Sequence, residues 1–314
     1  MKSFLSLSFL LLFPVWLFAQ SENDKITYLD SSFVKTTEGN HAYYRIIRDY
    51  HLEKDTYEIE DYYKSGRIKK KAVSTEKNAY KYTGFLYTYY ESGQLSEKKY
   101  YEDSQLQGPF LSWHENGNKR VEGTYFPDEA SELKAPMLRI DQYWDENNIH
   151  QVVDGNGIYK ETEDKVTTSG SLQKGLKEGV WKGSDKGLKI EFVETYSGGY
   201  LISGISIDKD LVERSYTSIL KLAKPKKGIE DFYKFVAKNF KVPDGDISGR
   251  IILKFTVDKK GTIKDVEIIQ GIEEKTDLEA IRVVQLYNKW EIALSRGIKV
   301  ACSYSMPINI TNSY

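Results

Sequence analysis

The stretch that decides the fold of the C-terminal part of the chain is Gly249-Arg-Ile-Ile-Leu-Lys-Phe-Thr-Val257-Asp-Lys-Lys-Gly261-Thr-Ile263. Residues 249–257 alternate between apolar and polar side chains, which predicts a strand with one buried face. Asp258 to Gly261 can close a tight hairpin, because glycine accepts the left-handed backbone of such a turn. Residues 263–269 then return as a second strand, so the stretch predicts an antiparallel pair.

A helix is predicted on each side of this pair. The first ends ahead of Pro243, which cannot continue a helix. The second begins where Thr276 and Glu279 have the spacing of a capping box. The apolar residues at helical spacing are Ile229, Phe232, Tyr233, Val236 and Phe240 in the first helix, and Leu278, Ile281 and Val284 in the second.

A last strand completes the order helix, strand, strand, helix, strand. Its apolar side comprises Val300, Cys302, Tyr304, Met306, Ile308 and Ile310, and its other side Ala301, Ser303, Ser305 and Asn309. Pro307 has no N–H to donate to a ladder, so this strand is predicted to be peripheral near its end.

Residues 229–312 resemble the C-terminal domain of TonB. The resemblance rests on four motifs in order: Phe232-Tyr-Lys-Phe-Val-Ala-Lys-Asn-Phe240, Val257-Asp-Lys-Lys-Gly-Thr-Ile263, Glu279-Ala-Ile-Arg-Val283 and Tyr304-Ser-Met-Pro-Ile308. Trp290 matches the family's tryptophan after the second helix, whereas Glu291-Ile-Ala293 stands where a Pro-Gly step is usual.

This resemblance implies a domain that offers a sheet edge to an extended peptide of an outer-membrane receptor, which adds itself as another strand. The predicted docking edge runs along residues 299–309. A second interpretation is that this strand only completes the core. The docking residues are Lys299, Ala301, Ser303, Ser305 and Asn309.

Internal repeats fill residues 58–204. Three segments share aromatic residues, polar residues and a glycine at a spacing of about 25 residues, which indicates a repeat architecture. They are Asp61-Tyr-Tyr-Lys-Ser-Gly66, Thr88-Tyr-Tyr-Glu-Ser-Gly93 and Ser112-Trp-His-Glu-Asn-Gly117. A second glycine precedes an aromatic stretch at Gly84, Gly108, Gly157 and Gly179. Each unit is predicted to be one β-hairpin whose glycine serves a turn.

The tyrosine–glycine units resemble the MORN-type variant repeats of the YwqK family, which is often described as antitoxin-like. A lone hairpin is barely stable, so the units are expected to pair into an extended antiparallel sheet that buries one aromatic face. The predicted fold class is therefore mostly β plus α+β: hairpin repeats followed by a small α-β-β-α-β domain.

The remaining segments are assigned by composition. Residues 20–57 are predicted to form a strand-rich cap on the first edge of the sheet. Residues 126–153, which contain Pro127 and Pro136, are predicted to form an excursion between repeat pairs. Residues 205–228 end in a charged Pro/Gly stretch and are predicted to be a linker.

The N-terminus has the order of a signal peptide, with Lys2, an apolar run and a small residue at Ala19. Residues 1–19 are therefore predicted to be removed, which places the protein outside the cytoplasm, and the resemblance to TonB implies the periplasm of a Gram-negative bacterium. A retained inner-membrane anchor is the alternative, although the apolar run, which Pro14 interrupts, is shorter than the ~20 residues of a spanning helix. Membrane contact is expected only if residues 1–19 are retained.

Charge and reactive residues argue against catalysis and against nucleic-acid binding. The 45 basic and 46 acidic residues nearly balance, so no basic field for nucleic acid is expected. The four histidines are isolated, and Cys302 is predicted to be a buried small hydrophobe. His114 is expected to be a surface residue. No catalytic residue, metal or cofactor is predicted.

The sequence therefore favours a non-enzymatic adaptor of the cell envelope that binds an envelope protein or a receptor peptide. Energy transduction to outer-membrane receptors is the first alternative, and it requires the leader to be retained. Toxin neutralisation by the repeats is the second. A homodimer is also possible, because repeat sheets and TonB-like domains both have edges that can pair with themselves.

Overall fold

The computed structural model describes residues 21–78, 81–128, 135–243 and 247–311. The chain divides into two compact units, residues 1–150 and 151–314. The described residues are mostly in antiparallel strands, with two α-helices near the C-terminal end. The predicted signal peptide, residues 1–19, lies outside the described residues. In the part that the structure describes, no helix combines the length and apolarity that a membrane span requires.

The first unit is an antiparallel sheet of successive hairpins. The predicted cap supplies its first two strands, and the second of them pairs with the first repeat strand. The strands are β1 (Lys25–Leu29), β2 (Tyr43–Ile47), β3 (Tyr57–Tyr63), β4 (Ile68–Ser74), β5 (Tyr82–Tyr89), β6 (Leu95–Glu102), β7 (Gln105–Leu106), β8 (Gly108–Trp113), β9 (Lys119–Phe126) and β10 (Met137–Trp144).

Stacked hairpin turns explain the repeat in the sequence. An aromatic residue at the end of one hairpin strand contacts a backbone carbonyl oxygen of the next hairpin, which holds neighbouring turns in register. The contacts are Tyr63 Oη to Tyr89 O at 2.8 Å, Tyr90 Oη to Trp113 O at 2.9 Å and His114 Nε2 to Trp144 O at 2.9 Å. His114 is thus a partly buried member of the stack rather than the surface residue that was expected.

The repeat glycines serve two purposes, not one. All seven have positive φ, but only Gly66, Gly93 and Gly117 lie in hairpin turns, and the other four lie within strands. Gly179 sits at an interruption of the ladder register, where left-handed glycine allows a β-bulge. The sequence pattern could not separate the two uses, because both select glycine for the same backbone conformation.

Residues 126–153 contain strands instead of the predicted excursion. β10 pairs with β9 from Met137 opposite Phe126 to Tyr143 opposite Val121. The prolines that suggested a loop fall outside both strands, so they do not interrupt the pairing.

The second unit begins within β11, whose first residue, His150, belongs to the first unit, and continues with six further strands. Strands β12 to β17 pair antiparallel in sequence order. The strands are β11 (His150–Val153), β12 (Asn156–Glu163), β13 (Val166–Gln173), β14 (Leu176–Asp185), β15 (Ile190–Ser197), β16 (Tyr200–Asp208) and β17 (Glu213–Tyr216).

Trp181 forms the centre of this hairpin sheet's buried face. Its side chain is fully buried, and its Nε1 donates to the Ser171 carbonyl oxygen at 3.1 Å. The ring packs edge-to-face against Tyr159 and Tyr196, with centroids 6.4 and 6.0 Å away. Gly170 lies opposite Trp181 in the ladder and leaves room for the indole ring.

The C-terminal domain contains the predicted order helix, strand, strand, helix, strand, with short additional strands. The first predicted strand coincides with the observed strand at Gly249–Val257, and the alternating residues Ile251, Leu253, Phe255 and Val257 are buried. The elements are β18 (Leu220–Lys221), β19 (Lys224–Pro225), α1 (Ile229–Asn239), β20 (Gly249–Val257), β21 (Ile263–Gln270), α2 (Glu274–Leu286), β22 (Trp290–Glu291), β23 (Ala293–Ser295), β24 (Ile298–Val300) and β25 (Cys302–Ile310).

Residues 205–228 contain strands rather than an unpaired linker. This range includes the end of β16, all of β17, and the short strands β18 and β19. β18 pairs with β23, and β19 pairs with β22. Composition alone missed these strands, because their partners lie some 70 residues further along the chain.

The second helix begins earlier than the capping-box pattern predicted. Its N-cap is Glu273, and Thr276 is buried inside the first turn, where its Oγ1 donates to Glu273 Oε1 at 3.0 Å. Glu279 instead accepts from the Lys241 N–H at 2.7 Å. Leu278, which was assigned to the apolar side, is exposed.

Substituting Gly170 by alanine is expected to destabilise the protein. A methyl group there would lie within 2.6 Å of three ring atoms of Trp181, and overpacking of this kind costs about 1–3 kcal/mol. Chemical denaturation monitored by tryptophan fluorescence measures the loss. Gly39→Ala is the matched control, since a methyl group at Gly39 meets nothing within 4 Å. Equal stability of the two variants would contradict the tight fit.

Candidate functional site

Strand β25 presents an open sheet edge. It lies at one side of a three-stranded sheet of order β21-β20-β25, and it pairs with β20 along its whole length, from Cys302 opposite Val257 to Ile310 opposite Gly249. Within the described ranges, no strand pairs with its other side. A strand of this length offers an unpaired edge of about 30 Å.

The two faces of β25 follow the predicted alternation. Met306, Ile308 and Ile310 are buried against the helices and β20, whereas Ser303, Ser305 and Asn309 are exposed. The buried face fixes the strand in the domain core. Among the described strands none pairs with its outer backbone edge, so the core role and the docking role are compatible.

The side of β25 to which each backbone N–H and C=O group points can be derived from one hydrogen bond on the neighbouring strand β20. Gln270 Nε2 donates to the Arg250 carbonyl oxygen at 3.5 Å, which places that oxygen on the β21 side of β20. Backbone N–H and C=O groups alternate sides along a strand, so those of Ile251 point toward β25. Those of its partner Ile308 point toward β20. The odd-numbered residues of β25 therefore direct their backbone groups outward. Pro307, which has no N–H, belongs to this outward set and costs the ladder nothing.

The predicted docking residues do not all lie on this edge. Ser303, Ser305 and Asn309 belong to β25. Lys299 belongs to β24 and already pairs with Leu294 of β23. Ala301 is exposed between the two strands. The alternation of apolar and polar residues runs through both strands without a break, so the boundary between them has no signal in the sequence.

Tyr304 holds the start of β25 in place. Its hydroxyl donates to the Ala223 carbonyl oxygen, and its ring stacks on Phe255 with the centroids 5.8 Å apart. Burial raises the pKa of the Tyr304 hydroxyl, which keeps the proton that this hydrogen bond requires.

A buried ion pair fixes the C-terminal domain to the hairpin sheet of the second unit. Arg296 lies at the tip of the β23–β24 hairpin, and its Nε donates to Glu194 Oε1 of β15 at 2.9 Å. The two side chains are 10% and 1% exposed. The guanidinium group lies 4.0 Å from the centre of the Phe192 ring. Ser206 Oγ donates to the Arg296 carbonyl oxygen at 2.7 Å. These contacts constitute the Arg296 anchor.

Two tyrosines complete the hydrogen bonding of Glu194. Tyr196 Oη donates to Oε2 at 2.8 Å, and Tyr216 Oη donates to Oε1 at 2.7 Å. Burial and the neighbouring carboxylate raise the pKa of both tyrosines, so they remain donors. A buried carboxylate is tolerated when every oxygen is satisfied in this way. The anchor therefore gives β25 a defined position relative to the hairpin sheet.

Neither partner of this pair was predicted from the sequence. Glu194 occupies an inward position of β15, between the buried residues Phe192 and Tyr196. A charged residue in an otherwise apolar alternation was the available signal. Nothing in the sequence pointed to Arg296 as its partner.

The described residues show no arrangement suited to metal binding. No group of three or more His, Cys, Asp or Glu residues among them is placed to hold an ion. Cys302 is a free thiol, half-buried at the start of β25.

The geometry defines a class: a small α+β domain that packs two helices against a sheet and leaves one strand edge open. Residues 244–310 match the family model of the Gram-negative bacterial TonB protein C-terminal domain. The C-terminal domain is thus TonB-like and of a kind found in the Gram-negative envelope. The match begins after α1 and leaves the hairpin sheets outside. A comparison with curated proteins found no match.

Replacing Arg296 by alanine is expected to destabilise the protein by about 3–5 kcal/mol, because Glu194 would keep a buried charge without its cation. Denaturant unfolding of the full chain measures the change. The double variant Glu194→Gln, Arg296→Met is expected to lose less, because no unpaired charge remains.

Arg139→Ala provides the matched control for the Arg296 anchor. Arg139 pairs with Asp141 where both side chains are about half exposed, and an exposed pair contributes at most about 1 kcal/mol. A loss for Arg296→Ala no larger than for Arg139→Ala would show that the anchor does not hold the domain.

Proposed function

We propose that this protein is a non-enzymatic binding protein of the Gram-negative periplasm that recognises an extended segment of a partner protein by strand addition at β25. The open edge of β25 carries the proposal. Main-chain hydrogen bonds along such an edge supply affinity, and alternate side chains supply specificity. The family match of residues 244–310 supports a partner in the cell envelope, such as a segment of an outer-membrane protein.

The rigidity of the edge supports this role. β25 is held by its full ladder with β20, by the buried residues Met306 and Ile308, and by the Tyr304 hydrogen bond to Ala223. A preformed edge loses little conformational freedom when it binds a peptide, which favours affinity.

The hairpin sheet of the second unit is proposed to serve as a platform for the TonB-like domain. In the second unit, the Arg296 anchor shows how a hairpin sheet receives that domain through Glu194, Phe192 and Ser206. The resemblance of the hairpin units to YwqK-type MORN variants belongs to the same proposal. Their aromatic contacts join one turn to the next, which is a structural use of these residues.

Proline in place of Ser305 is expected to weaken partner capture. Ser305 directs its N–H outward, so the substitution removes a donor from the open edge and leaves the β20 ladder intact. Ser305→Ala is the matched control, because it removes the hydroxyl and keeps the N–H. Affinity capture from envelope extract, quantified by mass spectrometry, should show a protein that wild type and Ser305→Ala retain and Ser305→Pro loses at least about fivefold.

Unchanged capture by Ser305→Pro, with a circular dichroism spectrum like that of wild type, would contradict strand addition at β25. Capture lost equally by Ser305→Ala would indicate side-chain recognition instead.

The N-terminal residue of the protein purified from cells distinguishes the adaptor hypothesis from the energy-transducer hypothesis. Cleavage of the predicted signal peptide would give a mature chain that starts at Gln20 and fractionates with periplasmic proteins. Mass spectrometry of the intact protein measures this. An uncleaved chain in the inner membrane would favour the transducer, which must contact a motor in that membrane.

A further inference from the structure

The outer face of the three-stranded sheet carries unpaired positive charge beside the open edge. Arg250 and Lys254 are exposed on β20, and neither forms an ion pair among the described residues. Thr256 Oγ1 lies 3.4 Å from Ser303 Oγ, which shows that this row of β20 shares a face with the odd-numbered residues of β25. On the other side of β20, the strand β21 places Glu267 opposite Lys254 and Lys264 opposite Thr256 on the same face.

Small side chains separate these cations from the edge. Ser305 lies opposite Lys254 and Asn309 lies opposite Arg250 in the ladder. A strand added to β25 would lie two strand spacings, or about 10 Å, from β20. The long side chains of lysine and arginine can extend over a serine or an asparagine to meet a carboxylate on that added strand.

The spacing of the two cations sets the spacing of the carboxylates. Arg250 and Lys254 are four residues apart on one strand, so both project from the same face. An added strand has the same rise per residue in either direction. Its acidic residues must therefore also be four residues apart, opposite Ser305 and Asn309.

The opposite face of the added strand requires apolar residues. Between those two positions, the added strand runs past Met306 and Ile308, which are buried on the helix side of the sheet. The residue opposite Pro307 receives no hydrogen bond from it, because proline has no N–H. This middle position is therefore the least constrained.

We infer that the preferred partner is an extended acidic segment of the pattern acid–apolar–any–apolar–acid. This inference rests on strand addition at β25 as the proposed function. The two carboxylates of the segment pair with Lys254 and Arg250, and its two apolar side chains pack beside Met306 and Ile308. A second copy of this chain is a poorer partner, because its β25 offers serine and asparagine at the positions where the pattern requires acids.

Fluorescence anisotropy of labelled nine-residue peptides with the purified full chain tests this inference. The probe contains Glu-Val-Thr-Val-Glu between Ser and Thr residues, and its neutral analogue contains Gln-Val-Thr-Val-Gln. The acidic probe is expected to bind about fivefold more tightly at low salt, as two exposed ion pairs allow. The difference should nearly vanish at about 1 M salt, where screening is strong. A third peptide, Glu-Val-Thr-Glu-Val, places one acid on the apolar face and is expected to bind most weakly.

Matched charge variants identify the residues that recognise the acidic side chains of the probe. Arg250→Gln with Lys254→Gln should reduce binding of the acidic probe to the level of its neutral analogue. Lys259→Gln with Lys260→Gln removes the same charge from the hairpin turn and should leave the preference intact. Circular dichroism confirms that each variant is folded.

Three outcomes would overturn the inference, and they are distinguishable. Equal binding of both probes, abolished by Ser305→Pro, would retain strand addition and reject acidic recognition. No binding of either probe, together with partner capture insensitive to Ser305→Pro, would reject the proposed function itself. A dimer in sedimentation equilibrium that Ser305→Pro dissociates would show that a second copy occupies the edge.

Discussion

Each β-strand leaves its backbone N–H and C=O groups pointing sideways, and these groups must be paired or exposed to water. The hairpin sheets meet this constraint by adding one neighbour after another, and the aromatic residues of one turn contact the backbone of the next. Among the described strands of the C-terminal domain, β20 is paired on both sides, whereas β25 is paired on one. The open edge is therefore where the domain retains hydrogen-bonding capacity for a partner.

The Arg296 anchor attaches the domain that carries this edge to the hairpin sheet of the second unit. A buried carboxylate and guanidinium group contribute little net stability as a pair, because their desolvation offsets their attraction, whereas removal of one partner is costly because it leaves the other charge buried and unpaired. Glu194 accepts from Arg296 and two tyrosines, which satisfies both oxygens of its buried carboxylate. These contacts join the TonB-like domain to its hairpin sheet at a defined point.

Local patterns predicted the elements of the C-terminal domain well. Alternation identified β20 with its observed bounds, and helical spacing identified α1, which ends at Asn239 and thus ahead of Pro243 as predicted. Short strands whose partners are distant, such as β18 and β19, carried no such pattern and were assigned to a linker. The capping box at Thr276 failed because the acidic residues ahead of it start the helix earlier, where they favour the helix N-terminus.

The sequence by itself determined the periodic features: hairpins punctuated by glycines of positive φ, two amphipathic helices, and a final strand with one apolar face. These follow from neighbours along the chain, whose spacing fixes which side chains share a face. Only the tertiary structure decided that β24 and β25 are separate strands, that β25 keeps an open edge, and that Arg296 meets Glu194. Those outcomes depend on pairings between distant residues, 102 positions apart for the ion pair, and periodicity holds no information about such partners.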